Sequence, residues 1–141
     1  MNSTASLSRQ GHRLLQIGIT LLLFSSLEGF AIPYLAAPRL GLSVHTLSAL
    51  QAVLMLAMGL LWPKLTLSTT VSRIAFWLFI YSDLAILAAY AMAAYWGAGN
   101  ETMPLAAGAA HGSAFQEAVI KVFAYSSAPT GLVRQRGSPA C

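Results

Sequence analysis

The sequence predicts an all-α, polytopic membrane protein, a bundle of four transmembrane helices forming one domain over residues 1–141. Three observations lead there. Hydrophobic residues make up 57% of the chain and charged residues only 9%, where a soluble domain carries about 25% charge. The charges also lie mostly between the apolar runs. Arg9 and Arg13 precede the first, Lys64 and Arg73 separate the second from the third, and Arg134 and Arg136 follow the last. Finally, the runs are long enough, since about 20 apolar residues cross a bilayer.

Residues 1–13 are polar and read as a short tail. The first helix is expected at about 14–37, interrupted only by Gln16 and Glu28 and closed by Pro38-Arg39. The basic residues before it also suit a cleaved signal peptide. The apolar region of such a peptide covers only about 7–15 residues, so the run reads as a retained helix. The second helix is expected at about 42–62, closing with Trp62-Pro63-Lys64: an interfacial aromatic, a helix stop and a snorkelling cation.

The third helix, about 74–96, carries one formal charge, Asp83, with Trp77, Tyr95 and Trp96 near its ends. Gly97 to Asn100 then form a loop. The fourth, about 105–133, is weaker: His111-Gly112-Ser113 breaks it, and Glu117, Lys121 and Pro129 interrupt it. Glu117 and Lys121 stand four apart in the favourable order and are expected to pair on one helix face.

Orientation follows from the basic residues of the loops. One side holds Arg9, Arg13, Lys64, Arg73, Arg134 and Arg136, the other only Arg39 with Glu101. Both termini are therefore expected in the cytoplasm, with the protein multi-pass in the inner membrane. The net charge of +4 forms no basic stripe with interleaved aromatics, so nucleic acid is excluded as a partner. Cys141 is the sole cysteine, which excludes a disulfide framework, a CxxCH haem attachment and a thiolate metal cluster.

Ionisable groups inside a membrane are costly and call for an explanation. Asp83 lies near the middle of the third helix, with Tyr90 seven residues on along the same face, about 10 Å further by helical rise. It suits either a structural hydrogen bond to another helix or a polar pocket. His45 opens the second helix, followed by Thr46, Ser48 and Gln51. It suits an interfacial or capping role as well as metal or haem ligation. Glu28 and Glu117 are candidate proton-relay carboxylates, His12 is a solvated interfacial residue, and His111 lies in a Gly-rich break. From the residues alone the chain is a four-helix membrane protein with a polar pocket.

Three segments carry a resemblance. Gly11-His12-Arg13-Leu14-Leu15 through Ser25-Ser26-Leu27-Glu28-Gly29-Phe30 resembles the hydroxylaminobenzene mutases. So do Gly41 through Gln51 and His111-Gly112-Ser113-Ala114-Phe115-Gln116-Glu117. The likeness runs to about Leu132. It implies an isomerase that converts hydroxylaminobenzene, a small aromatic hydroxylamine, to 2-aminophenol by moving oxygen from nitrogen to the ortho carbon. More distantly the chain is similar to the styrene oxide isomerases, which implies a homotrimer in membrane lipid, with haem b at the protomer interfaces.

That likeness implies His45 as the axial ligand of the haem iron, with ferric iron as the Lewis acid that weakens the N–O bond. It also implies pocket roles for Tyr90 and for Gln51, which stands where the family has asparagine. The family's pocket aspartate falls on Ser82, with Asp83 one residue along. Two other classes of function compete: a small proton-coupled exporter using Glu28, and a non-catalytic membrane subunit.

Overall fold

The computed structural model describes residues 3–128, and among these all regular structure is helical. Helix α1 spans Ser3–Ala31 and runs into a 3-10 turn at Ile32–Tyr34. Helix α2 spans Pro38–Leu61 and ends in a second 3-10 turn, Trp62–Lys64. Helix α3 spans Thr69–Trp96. A single turn, α4 at Pro104–Ala107, and a helix of 13 residues, α5 at Ala114–Ser126, complete the described chain. Three segments are long and apolar enough to cross a membrane: Leu7–Tyr34, Pro38–Lys64 and Thr69–Trp96. Each has 27 or 28 residues, about 40 Å at 1.5 Å per residue, enough to cross a core of about 30 Å with tilt.

Helix α1 starts well before the expected boundary near residue 14. The reason is a packing seam. Leu7, Gly11, Leu14, Gly18, Leu21 and Ser25 are all buried, spaced alternately four and three residues apart, the repeat by which two helices stay in contact along their length. This seam begins inside the polar segment, so the segment is helical. The glycines let α2 approach: a Cβ on Gly11 would lie 2.7 Å from the Gly59 carbonyl oxygen, and one on Gly59 2.9 Å from that of Gly11. Small residues allow such close backbone contact between membrane helices. The helix stops at Ala31 because Pro33 disfavours helical backbone in the residue before it.

Pro38 starts α2 from its first position, where its missing N–H is harmless. Ser68 caps α3 by accepting the Val71 N–H, and Gly97 ends it at φ 64°, a left-handed conformation natural to glycine. The fourth run is broken where the sequence suggested, around His111-Gly112-Ser113. Gly108 takes φ 59°, and a new helix begins at Ser113, where Ser113 and Gln116 form a reciprocal capping box. Its expected end at residue 133 and the basic tail with Arg134 and Arg136 lie outside the described residues.

Trp62, expected at the interface, is instead inside the fold, 2% exposed. Its indole donates to Gln10 at 3.1 Å and Ser72 at 3.3 Å, and Ser72 donates to Gln10 at 2.5 Å. A buried indole N–H needs such partners. These bonds join α1, α2 and α3 at one end of the bundle, the end that carries Arg9, Arg13, Lys64 and Arg73. Large apolar side chains, including Leu23, Leu27, Phe30, Leu50, Trp77 and Val122, face outward. An outer surface so apolar belongs in lipid or against another chain. The molecule is a membrane protein.

Candidate functional site

Polar side chains gather at two levels between the helices. At the level away from Trp62 the α1–α2 seam ends on Ser25, Glu28 and Gly29, which meet His45. The His45 ring places Nδ1 2.9 Å from the Ser25 carbonyl oxygen, and the Ser25 hydroxyl donates back to the His45 carbonyl at 3.0 Å. A carbonyl only accepts, so Nδ1 carries the ring proton in the neutral imidazole and Nε2 carries the free lone pair. A carboxylate oxygen of Glu28 lies 3.7 Å from Nδ1. Gly29 makes room for the ring: a Cβ there would stand 3.2 Å from Cε1 and 3.3 Å from Nδ1.

At the middle level α2 faces α3. Gln51 and Asp83 are both buried, 7% exposed each. The Gln51 amide donates to the main-chain carbonyl of Asp83 at 3.0 Å. That leaves Gln51 Oε1 and Asp83 Oδ2 buried without hydrogen-bond partners among the described residues. Both hold unused capacity for a guest, because such atoms are costly to leave unpaired. The two expected pocket residues are thus brought together, through the backbone of one of them.

Tyr90 is half-buried and lines a groove of about 530 Å³ between α2 and α3, with Ser43, Thr46, Leu47, Leu50 and Ile86. His45 does not line this groove; its ring turns toward α1. Ser82 points elsewhere again, donating to the carbonyl of Ser127 beyond the end of α5. Neighbouring helical positions differ by about 100°, which is why Ser82 and Asp83 serve different faces.

Glu117 and Lys121 do not pair. Glu117 accepts the main-chain N–H groups of Gly99 at 2.7 Å, Gly112 at 3.2 Å and Glu101 at 3.3 Å, binding the loop after α3 to the start of α5. Lys121 reaches the Glu101 carboxylate at 3.7 Å instead. The loop places three donors at the start of α5, and these satisfy a buried carboxylate better than one half-exposed ammonium does. His111 and His12 are both exposed.

Sequence reasoning missed the contact between Glu28 and His45. The four–three seam of α1 was the available signal, because three residues beyond Ser25 it reaches Glu28.

The fold and these sites define a helical membrane protein whose apolar bundle holds an oriented, part-exposed histidine and, deeper, the buried side chains of Gln51 and Asp83. The profile of the family described as Styrene oxide isomerase matches residues 10–134. The chain belongs to the styrene oxide isomerase family. It is 45% identical over 108 residues to hydroxylaminobenzene mutase HabB of Ectopseudomonas oleovorans, covering 77% of this chain and 66% of that protein. It is 33% identical over 112 residues to hydroxylaminobenzene mutase HabA of the same organism, covering 79% and 83% respectively. No solved structure matches.

Proposed function

We propose that the protein is a membrane isomerase that rearranges hydroxylaminobenzene to 2-aminophenol. The observation that carries this reading is the identity to two hydroxylaminobenzene mutases over more than three quarters of the chain. The geometry supports it by offering unpaired polar atoms in an otherwise apolar interior. The substrate is a small, membrane-soluble aromatic, which such an interior suits.

His45 fits a haem ligand by its fixed tautomer, because the bond from Nδ1 to Ser25 leaves Nε2 free to bind iron. When bound, ferric haem b would supply Lewis acidity that weakens the N–O bond. The chain's own residues do the rest. Tyr90 hydrogen-bonds the departing oxygen, Gln51 Oε1 orients the substrate amine by accepting from it, and the Asp83 carboxyl carries the proton. Ser82, whose hydroxyl already serves Ser127, holds α5 in place. The apolar helices keep water from the electrophilic ring. Oxygen held close to nitrogen then reaches the adjacent ortho carbon before the distant para carbon.

In this reading α5 belongs to a fourth crossing, and both termini face the cytoplasm in the inner membrane. The basic cluster at the Trp62 end of the bundle supports that orientation. The likeness to the styrene oxide isomerases implies a homotrimer with the site between copies of the chain, and His45 and the Tyr90 groove, which lie on different faces of α2, suit such an arrangement.

Two substitutions test the reading. His45→Ala removes the ligand nitrogen and should abolish both the Soret band and turnover. Tyr90→Phe deletes one hydroxyl and should leave haem bound while slowing turnover by about 10²–10³. Full activity and an unchanged spectrum in His45→Ala would refute the mechanism. An exporter or a non-catalytic subunit would show no turnover in the wild type.

A further inference from the structure

We propose that Glu28 is a positioning residue that acts through His45: from the Nδ1 side it fixes the imidazole and raises the electron donation of Nε2. This rests on the reading of His45 as the haem ligand. Three observations carry it. Glu28 lies in an apolar span, where an ionisable side chain is costly and calls for a partner. Its side chain is only 10% exposed, and neither oxygen accepts a hydrogen bond among the described residues. The polar group it does approach is the His45 ring, at 3.7 Å from Nδ1.

The Ser25 carbonyl alone would be a sufficient acceptor for Nδ1–H, so hydrogen bonding does not account for Glu28. What the carboxyl adds is negative potential on the edge of the ring opposite Nε2. Losing a partner hydrogen-bonded behind a ligating histidine typically weakens metal binding about 10–100-fold; Glu28, at 3.7 Å, acts through space, which puts its effect at the low end, about tenfold. A stronger donor favours the higher-charged iron. Glu28 thereby biases the bound haem toward the ferric state, the Lewis-acidic one. Gly29 belongs to the same device, because a Cβ there would stand 3.2 Å from Cε1 and 3.3 Å from Nδ1, and the ring would have to give by a few tenths of an ångström.

The test is a titration of ferric and ferrous haem into the purified protein in detergent, followed by the midpoint potential of the loaded protein. Glu28→Gln keeps size and shape but removes the charge. It should weaken ferric haem about tenfold and leave ferrous haem nearly unchanged, which raises the potential by about 59 mV for a one-electron couple. Glu28→Asp keeps the charge one methylene further back and should give a smaller rise. Gly29→Ala leaves Glu28 in place and displaces the ring, so it should weaken both oxidation states alike and leave the potential where it was. A wild type that holds haem through His45, with an unmoved potential in Glu28→Gln, overturns the role of Glu28 alone. So does an Asp variant that rises as far as the Gln variant. A wild type with no Soret band at all overturns the haem reading, and this inference with it.

Discussion

The contacts of Glu117 give a prediction whose size can be worked out. In Glu117→Gln the amide oxygen can keep the bonds from Gly99 and Gly112, both of which reach Oε1 in the native chain. Each changes from a charge-assisted bond, worth about 1.5–3 kcal/mol, to a neutral one worth about 0.5–1.5 kcal/mol. The new NH2 group faces the Glu101 N–H, where Oε2 accepted at 3.3 Å. Two donors then meet, and losing that acceptor costs about 1 kcal/mol, the low end for an unsatisfied donor at a partly exposed site. The total is about 3 kcal/mol.

Lys121→Ala removes only a pair in which both side chains are about half exposed, worth at most about 1 kcal/mol. Thermal unfolding in detergent, followed by circular dichroism, should therefore show a fall on the order of 10 °C for Glu117→Gln and at most a few degrees for Lys121→Ala. Equal falls, or a larger one for Lys121→Ala, would refute the loop-binding role and restore the simple helical pair.

Other outcomes follow from the same geometry. Gly59→Ala drives a methyl to 2.9 Å from the Gly11 carbonyl; it should destabilise α1–α2 packing by about 1–3 kcal/mol, read as a lower unfolding temperature. A cysteine replacing Asn100 should react with an impermeant maleimide from outside the cell, and one replacing Ser68 should not; the reverse pattern would invert the topology. Native mass spectrometry in mild detergent should give a trimer, against which a purely monomeric spectrum would count.

Helix number and type were legible in the sequence where composition alone decides them. Three apolar runs became three long helices because no other structure satisfies every backbone group in lipid. Boundaries were less legible. The start of α1 depends on Leu7 and Gly11 touching α2, a tertiary fact inside a polar-looking segment. Trp62 reads as an interfacial anchor from hydropathy, yet Gln10, remote in sequence, and Ser72 on the next helix draw it inside.

At the candidate site, residue types alone pointed to Gln51, Asp83 and His45 as polar groups in apolar helices. The partner of each was not readable, since Gln51 bonds the backbone of Asp83 and Lys121 prefers Glu101 to its helical neighbour. The cap at Ser113 and Gln116 was readable by its spacing, and it marks where the fourth run breaks.

The central claim is that this chain moves oxygen within one molecule of substrate inside a dry site. Purified protein supplied with hydroxylaminobenzene in oxygen-18 water tests it directly, with product isotope and regiochemistry read by mass spectrometry and chromatography. The account predicts 2-aminophenol carrying no label and little 4-aminophenol. Extensive label in the product, or no 2-aminophenol from the wild-type chain, would contradict it.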